Sequence, residues 1–224
     1  MIDLCIDTSV GATVAVVTEN HISTATEAST RAHAERLSVL VSDALEEAGF
    51  GRASKDVDLD QIVVGTGPAP FTGLRAGLVT ARVIGKVNDV PVRGIGSLDI
   101  LAREYLDEMP TDAEIVVVTD ARRKEVYWAH YRARGPHDVE LIEGPAVNSA
   151  DFVANKFSNS KVSFAGPGCA LYPDALPSSL TDEDLDVSIA SRIVRARLEA
   201  GVEDFPIEPQ YLRRPDVHMG KKKQ

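Results

Sequence analysis

The chain has 224 residues, 44% of them hydrophobic and 26% charged, a composition that suits a globular protein with room for one or two cores. Its 34 acidic against 24 basic side chains leave a net charge of -10, which opposes tight binding of a phosphate backbone by the body of the protein. No apolar run reaches the ~18 residues of a membrane span. Met1 to Asp7 lacks the basic and apolar regions of a secretion signal, and Cys5 and Cys169 form no CxxC pair, so a cytoplasmic chain without disulfide or zinc knuckle is expected.

Ile2 to Ile6, closed by Asp7-Thr8-Ser9, reads as a strand, Gly11 to Val17 as a second and His21 to Glu27 as a third, together an antiparallel meander. A helix opens at Thr30 or Arg31 and runs to about Ala48. Leu37, Leu40, Val41, Ala44, Leu45 and Ala48 recur there at steps of three and four, and Gly49 stops it. Ile62-Val63-Val64 is a short buried strand leading into the loop Gly65 to Pro70. Phe71 to Val87 reads as a helix, Val90 to Ile95 as a strand, and Ser97 as the cap of a helix to about Leu106.

Asp107 to Asp112 then marks a boundary, after which the pattern restarts. Ile115 to Val118 is a strand ending at Asp120, and Glu125 to Tyr131 is the next. At an offset of 113 residues Asp7 meets Asp120, Val14 meets Tyr127 and Val16 meets Ala129, which suggests two related halves. A helix over Ala150 to Phe157, a strand at Val162 to Ala165, a turn at Gly166-Pro167-Gly168 and a helix from Ile189 to Ala200 complete an α/β fold with mixed sheets. The halves are read as residues 1–108 and 109–212. In the remainder, 213–224, Arg213, Arg214, Lys221, Lys222 and Lys223 stand against Asp216 alone, as a solvated flexible tail or one that touches nucleic acid.

Few residues are placed for chemistry. Gly65-Thr66-Gly67 follows a strand and precedes a helix, as a phosphate loop does. It fits neither GxGxxG nor GxxxxGK[ST], and Pro68 and Pro70 remove two amide donors, so a structural corner is expected. On the next helix Gly73, Gly77, Ala81 and Gly85 stand four apart and form a stripe of small residues. Three helical glycines cost about 3 kcal/mol relative to alanine, a cost that close approach of another backbone would offset. That backbone is either the chain's own sheet or helix, or a second subunit, with Leu74, Leu78 and Val79 extending the contact.

No two of the five histidines stand at HxxxH spacing, and His33 to Leu37 ends on leucine where a second helical ligand would sit. No GxSxG elbow occurs. Asp7 and Asp120, each ending a strand, either form turns or face one another as a pair able to hold magnesium or orient water. Arg122-Arg123-Lys124 occupies the turn where a phosphate-binding hairpin needs glycine. The acidic run Thr181 to Asp186 reads as a solvated loop or helix start.

Five segments, in order and spanning nearly the whole chain, carry a resemblance: Ile6-Asp7-Thr8-Ser9, Arg31 to Leu37, Gly65 to Arg75, Asp120 to Tyr131 and Glu208 to Arg213. With them the chain resembles the TsaB (YeaZ) family. The resemblance implies an actin/Hsp70/sugar-kinase-like (ASKHA, RNase H-like) fold of two duplicated domains, the second reduced. It implies a non-catalytic subunit of the complex that forms threonylcarbamoyladenosine beside the tRNA anticodon. Such a subunit docks on a TsaD-like transferase through N-terminal helices, is joined by a TsaE-like ATPase, and pairs with itself as a homodimer when alone. It reaches tRNA through the complex and has no membrane contact.

The interface so implied comprises His33, Leu37 and Leu40 on the first helix and Phe71, Gly73, Leu74, Gly77, Leu78, Ala81 and Gly85 on the second. No catalytic residue, intrinsic cofactor or metal is expected, with Asp7, Thr8, Ser9 and Asp120 the only nucleotide-contact candidates. ATP and magnesium are used by the complex, near the partner interface. The transferase's HxxxH metal pair would fall on Ser97 and Leu101, and leucine binds no metal.

One departure is Ala69-Pro70 in place of the usual Gly-Ser. A left-handed conformation is costly for alanine, so a stiffer loop is expected. Two other classes remain open: an ATP-dependent phosphotransferase of the same superfamily, opposed by the two prolines and the missing glycine after Asp120, and a glycoprotease-like metallopeptidase, opposed by the missing HxxxH.

Overall fold

A computed structural model describes residues 1–27, 33–181 and 185–213. The helix start at Thr30 or Arg31, the acidic residues 182–184 and the tail from Arg214 onward lie outside the described residues.

Strands β1 (Ile2–Asp7), β2 (Ala12–Thr18) and β3 (Ile22–Glu27) form the antiparallel meander, and β4 (Gln61–Gly65) and β5 (Val92–Ile95) add to β1 in parallel, giving the order β3-β2-β1-β4-β5. Helices α1 (His33–Glu47), α2 (Phe71–Asn88) and α3 (Ser97–Asp107) connect and follow these strands. The second sheet repeats the plan with β6 (Glu114–Asp120), β7 (Glu125–Arg134), β8 (Asp138–Ser149) and β9 (Ser163–Ala165) in the order β8-β7-β6-β9. Its helices are α4 (Ala150–Phe157), α5 (Pro167–Leu171) and α6 (Ile189–Glu199).

The repeat extends to register. Asp7 pairs with Thr13 and Ile2 with Thr18 in the first hairpin; Asp120 pairs with Val126 and Ile115 with Tyr131 in the second. Each pair is displaced by the same 113 residues. Among the described residues the second sheet has no counterpart of β5 and is the reduced copy.

Strand β1 is central because alternate residues serve two cores. Leu4 and Ile6 face α1 and α2, packing with Val14, Val16, Leu37, Leu45, Ile62 and Leu74. Cys5 faces the opposite way, into a layer that holds α3 and α6 between the two sheets and joins Val63, Leu101, Ile115, Val117, Tyr131 and Ile193. The outer face of the second sheet packs Val116, Val118 and Trp128 against Val153 and Phe157 of α4.

The middle layer is tied by charge as well. Asp3 of β1, fully buried, accepts from Gln61 Nε2 at 2.8 Å, Ser191 Oγ at 2.5 Å and Arg195 Nε at 2.8 Å. Asp99 of α3 takes the Tyr131 hydroxyl at 2.7 Å and Arg197 Nη2 at 2.9 Å, and Arg197 Nε also reaches Asp138 at 2.9 Å. Burial, then the Asp99 carboxylate, pushes the Tyr131 phenol well above its ordinary range, so it stays a donor.

Three local readings change. Gly96, not Ser97, is the N-cap of α3, and Ser97 turns its hydroxyl inward instead. The long β8 escapes a periodicity reading because Gly144-Pro145 interrupts it and its ladder to β7 is irregular around Trp128 to Tyr131. Where the sequence predicts a turn at Gly166 to Gly168, Pro167 opens the short α5. After α6, residues 205–213 return as a strap without regular structure over the first half: Gly94 N donates to the Phe205 carbonyl at 3.1 Å and Gln210 N to the Thr66 carbonyl at 2.8 Å. No helix of the described residues is long and apolar enough to cross a membrane.

Candidate functional site

The cleft candidates lie at the ends of β1 and β6. Asp7 is buried, and its Oδ1 accepts from Ser9 N at 2.6 Å and Ser9 Oγ at 2.5 Å, while Oδ2 accepts from Ser97 Oγ at 2.6 Å. Ser97 Oγ in turn receives Gly67 N at 3.1 Å, and Ser97 N donates to the Gly67 carbonyl at 2.8 Å. Gly65 is glycine because a Cβ there would fall inside the Asp7 carboxylate. Thr8 Oγ1 donates to the Gly73 carbonyl at 2.9 Å. Asp120 Oδ1 accepts from Arg122 N at 2.7 Å, and its Oδ2 lies 3.1 Å from Arg122 Nη1. Asp120 and one oxygen of Asp7 thus serve their own turns, while the other oxygen of Asp7 holds Ser97 of α3 and Thr8 holds the Gly73 carbonyl of α2. Among the described residues no group of three or more His, Cys, Asp or Glu could hold a metal. Ser97 is engaged as above and Leu101 lies in the middle core.

The loop keeps its glycine where it needs one. Gly67 stands at φ 91, a conformation that favours glycine. Ala69 is not among the positive-φ residues outside glycine, which in the described chain are Asp89, Arg122, Arg123 and Lys124. Its methyl instead packs into the first core. The expected cost of a left-handed Ala69 is therefore absent.

The small-residue stripe answers to the chain's own sheet. A Cβ on Gly77 would stand 2.6 Å from Thr8 Oγ1, and one on Gly85 would collide with the Val92 side chain. Ala81 is fully buried and Leu74, Leu78, Leu37 and Leu40 are buried beside it in the first core. Of the residues expected at the interface, Leu37, Leu40, Leu74, Gly77, Leu78, Ala81 and Gly85 lie beneath the surface of the chain. Gly73 is half-buried and held by Thr8. His33 and Phe71 open α1 and α2, and their side chains are outside what is described.

The surface of the same helices is apolar too. On α2, Val79, Val83 and Val87 are 57%, 56% and 61% exposed, with Val39 of α1 exposed at 38%. These valines stand two residues from the glycine stripe, which at ~100° per residue is the opposite side of the helix. Val79 therefore does not flank the stripe. Between α1, α2 and the 3-10 turn Ser54–Asp56, Val79, Val83 and Val87 border a groove of about 490 Å³ whose other walls are mixed, with Val41 and Ile84 beside Ser42, Thr80, Arg52 and Lys55. A row of exposed valines on one helix is the kind of patch that marks a contact surface. Sequence reasoning missed Val83 and Val87, although their four-residue step was legible.

Comparison with known proteins decides the family. The family described as "TsaD: tRNA N6-adenosine threonylcarbamoyltransferase" matches residues 17–205. An uncharacterized protein of Mycobacterium tuberculosis is 39% identical over 222 residues, covering 96% of this chain and 92% of its own. The Haemophilus influenzae "tRNA threonylcarbamoyladenosine biosynthesis protein TsaB" is 28% identical over 224 residues, covering 94% of this chain and 92% of its own. The solved structure of YeaZ from Pseudomonas aeruginosa superposes with a TM-score of 0.76 at 28% identity, covering 94% of this chain and 99% of that one.

The chain belongs to the TsaB (YeaZ) family. Its two mixed sheets are the ASKHA-like architecture of the YeaZ structures. In this TsaB-family chain the Asp7 and Asp120 carboxylates are engaged by Ser9, Ser97 and Arg122, while a row of exposed valines lies along α2.

Proposed function

We propose that the chain is a non-catalytic assembly subunit of the complex that forms threonylcarbamoyladenosine in tRNA, and that it docks on a TsaD-type transferase. The observation that carries this reading is the exposed valine row of α2 beside the α1 groove. A partner helix laid along Val79, Val83 and Val87 would bury apolar surface that water now covers, and a stable interface of this kind covers about 1,200–2,000 Å² in total. The names of the curated relatives supply the pathway.

In the proposal the cleft does no chemistry. Asp7 and Asp120 are tied to Ser97, Ser9 and Arg122, and the turn after β6 presents three long cations instead of a glycine nest. ATP and magnesium would be used by the assembly, with a TsaE-type ATPase joining it, and the protein would work in the cytoplasm where tRNA is modified. When no transferase is present, the same valine row would pair two copies of the chain.

The test is reconstitution. The chain and the transferase of its organism are combined with tRNA, ATP, magnesium and the threonylcarbamoyl donor system, and modified adenosine is measured by nucleoside mass spectrometry. Product is expected only when chain and transferase are both present. Product from this chain alone would overturn the reading.

A further inference from the structure

Each sheet ends in two edge strands, β3 and β5 in the first, β8 and β9 in the second. Three of these edges are guarded. The strap lies along β5, where Gly94 N donates to the Phe205 carbonyl at 3.1 Å. Beside β9, Ser178 Oγ donates to the Phe164 carbonyl at 2.6 Å and Gly166 N to the Leu180 carbonyl at 2.7 Å. On β8, Gly144-Pro145 breaks the strand, and Glu140 and Glu143 stand in ion pairs with Arg132 and Lys156. Cover, proline and charge are the devices by which proteins keep an edge from pairing.

β3 carries none of them. Its run Ile22-Ser23-Thr24-Ala25-Thr26 holds no charge, proline or glycine, and its ladder to β2 is unbroken. Thr18 N donates to the His21 carbonyl at 2.9 Å, which sets the alternation of that ladder. Ser23 and Ala25 turn their backbone groups to Val16 and Val14, while Ile22, Thr24 and Thr26 turn theirs outward. Among the described residues those outward N–H and C=O groups have no partner. The strand is held firm from its other face, where Ser23 Oγ donates to the Ala44 carbonyl of α1 at 2.6 Å. Beside Ile22 a cavity of about 450 Å³ opens between β2, β3 and α6, with Val17, Ile22, Ile189 and Ala196 as apolar walls. Its two arginines are taken, Arg192 by Asp107 and Arg195 by Asp3, and the Met1 amine lies near Glu19 and Asp60. Asp186 and Glu199 in the same lining have no cation among the described residues, and His137 is exposed at its rim.

We propose that the β3 edge takes an extended segment of a partner protein as an added strand, with a lysine or arginine of that segment reaching into the cavity. An extended backbone is what matches donors and acceptors presented at every second residue. The basic side chain lays its methylenes on Val17, Ile22 and Ile189 and brings its cation to Asp186 and Glu199. A cation also suits a chain of net charge -10. Ile22 and the cavity lie on the side of the first sheet away from α1 and α2, so the valine row stays free and the inference does not rest on the proposed function.

The test titrates the full chain with the peptide Ser-Val-Thr-Lys-Thr-Val-Ser and follows amide hydrogen exchange by nuclear magnetic resonance. Saturable binding is expected below about 1 mM. Exchange should slow at Ile22, Thr24 and Thr26 and stay as it was at Ser23 and Ala25, whose amides already bond to β2. Thr24→Pro removes an outward donor while leaving the β2 ladder intact, and is expected to weaken binding about tenfold or more. Glu199→Lys, at an exposed residue, tests the cavity separately; it and a peptide with glutamate in place of lysine should each weaken binding about fivefold or more. No saturable binding at about 1 mM, unaltered exchange at all three outward amides, or a folded Thr24→Pro chain that binds as wild type would overturn the proposal. Loss of the chain's own self-association in Thr24→Pro would place a second copy on the edge and overturn it as well.

Discussion

Thr8 and Gly77 meet across the first core: the Thr8 hydroxyl, donating to the Gly73 carbonyl at 2.9 Å, occupies the space a Gly77 side chain would need. The helical glycines are therefore the means by which α2 lies close upon the end of β1. Gly77→Ala should destabilise the fold by about 1–3 kcal/mol through overpacking, read as a shift of the urea midpoint at constant slope. Combining it with Thr8→Ala should recover part of that stability; a double variant as unstable as the sum of the singles would contradict the contact.

Asp3 predicts a larger effect. It is buried and answers Gln61, Ser191 and both Nε and Nη2 of Arg195, so Asp3→Ala takes the acceptor from three side chains at once. Arg195 is 33% exposed and can turn to water, so the cost is that of stranding the buried Gln61 and Ser191 donors, together about 2–6 kcal/mol, which in a chain of this size lowers Tm by roughly 4–24 °C. A melt displaced by less than about a degree would mean that water or another group takes the place of the carboxylate.

The two thiols set an alkaline limit. Burial pushes the Cys169 thiol from 9.0 to about 12, and burial together with Asp3 raises Cys5 further. An unfolded chain loses these protons near pH 9 while the folded one keeps them, so stability contributed by the neutral thiols declines as pH rises from about 9 toward 12. Thermal melts should fall between about pH 8 and about pH 10.5, and Cys169→Ala should make that decline shallower. An unchanged decline in the variant would assign it to other groups.

The sequence reveals elements whose period is unbroken. β1, β2, α2 and α4 are legible because their apolar residues repeat without interruption, and the offset of 113 residues foretells the shared register of the two hairpins. β8 is hidden by Gly144-Pro145 and by its exposed residues. The stripe at Gly73, Gly77, Ala81 and Gly85 announces a close approach but not the partner, because spacing carries the demand for room and not its occupant. The partner is Thr8 and Val92, which only the strand order brings beneath α2. Likewise Asp7 and Ser97 are distant in sequence and meet because β1, β4 and β5 are neighbours.

The valine row gives a narrower expectation for self-association. If two copies pair through α2 when the transferase is absent, Val79→Asp should shift the chain to monomer in sedimentation velocity without lowering its Tm, because the side chain is already in water. A dimer that survives the substitution would place self-pairing on another surface.

The most direct measurement is the affinity of the full chain for the TsaD-type transferase, by calorimetry, for wild type and Val83→Asp. Val83 is exposed at 56%, so the variant is expected to fold with an unchanged melt while its affinity falls at least about tenfold. A folded Val83→Asp chain that binds the transferase as tightly as wild type would contradict docking through α2.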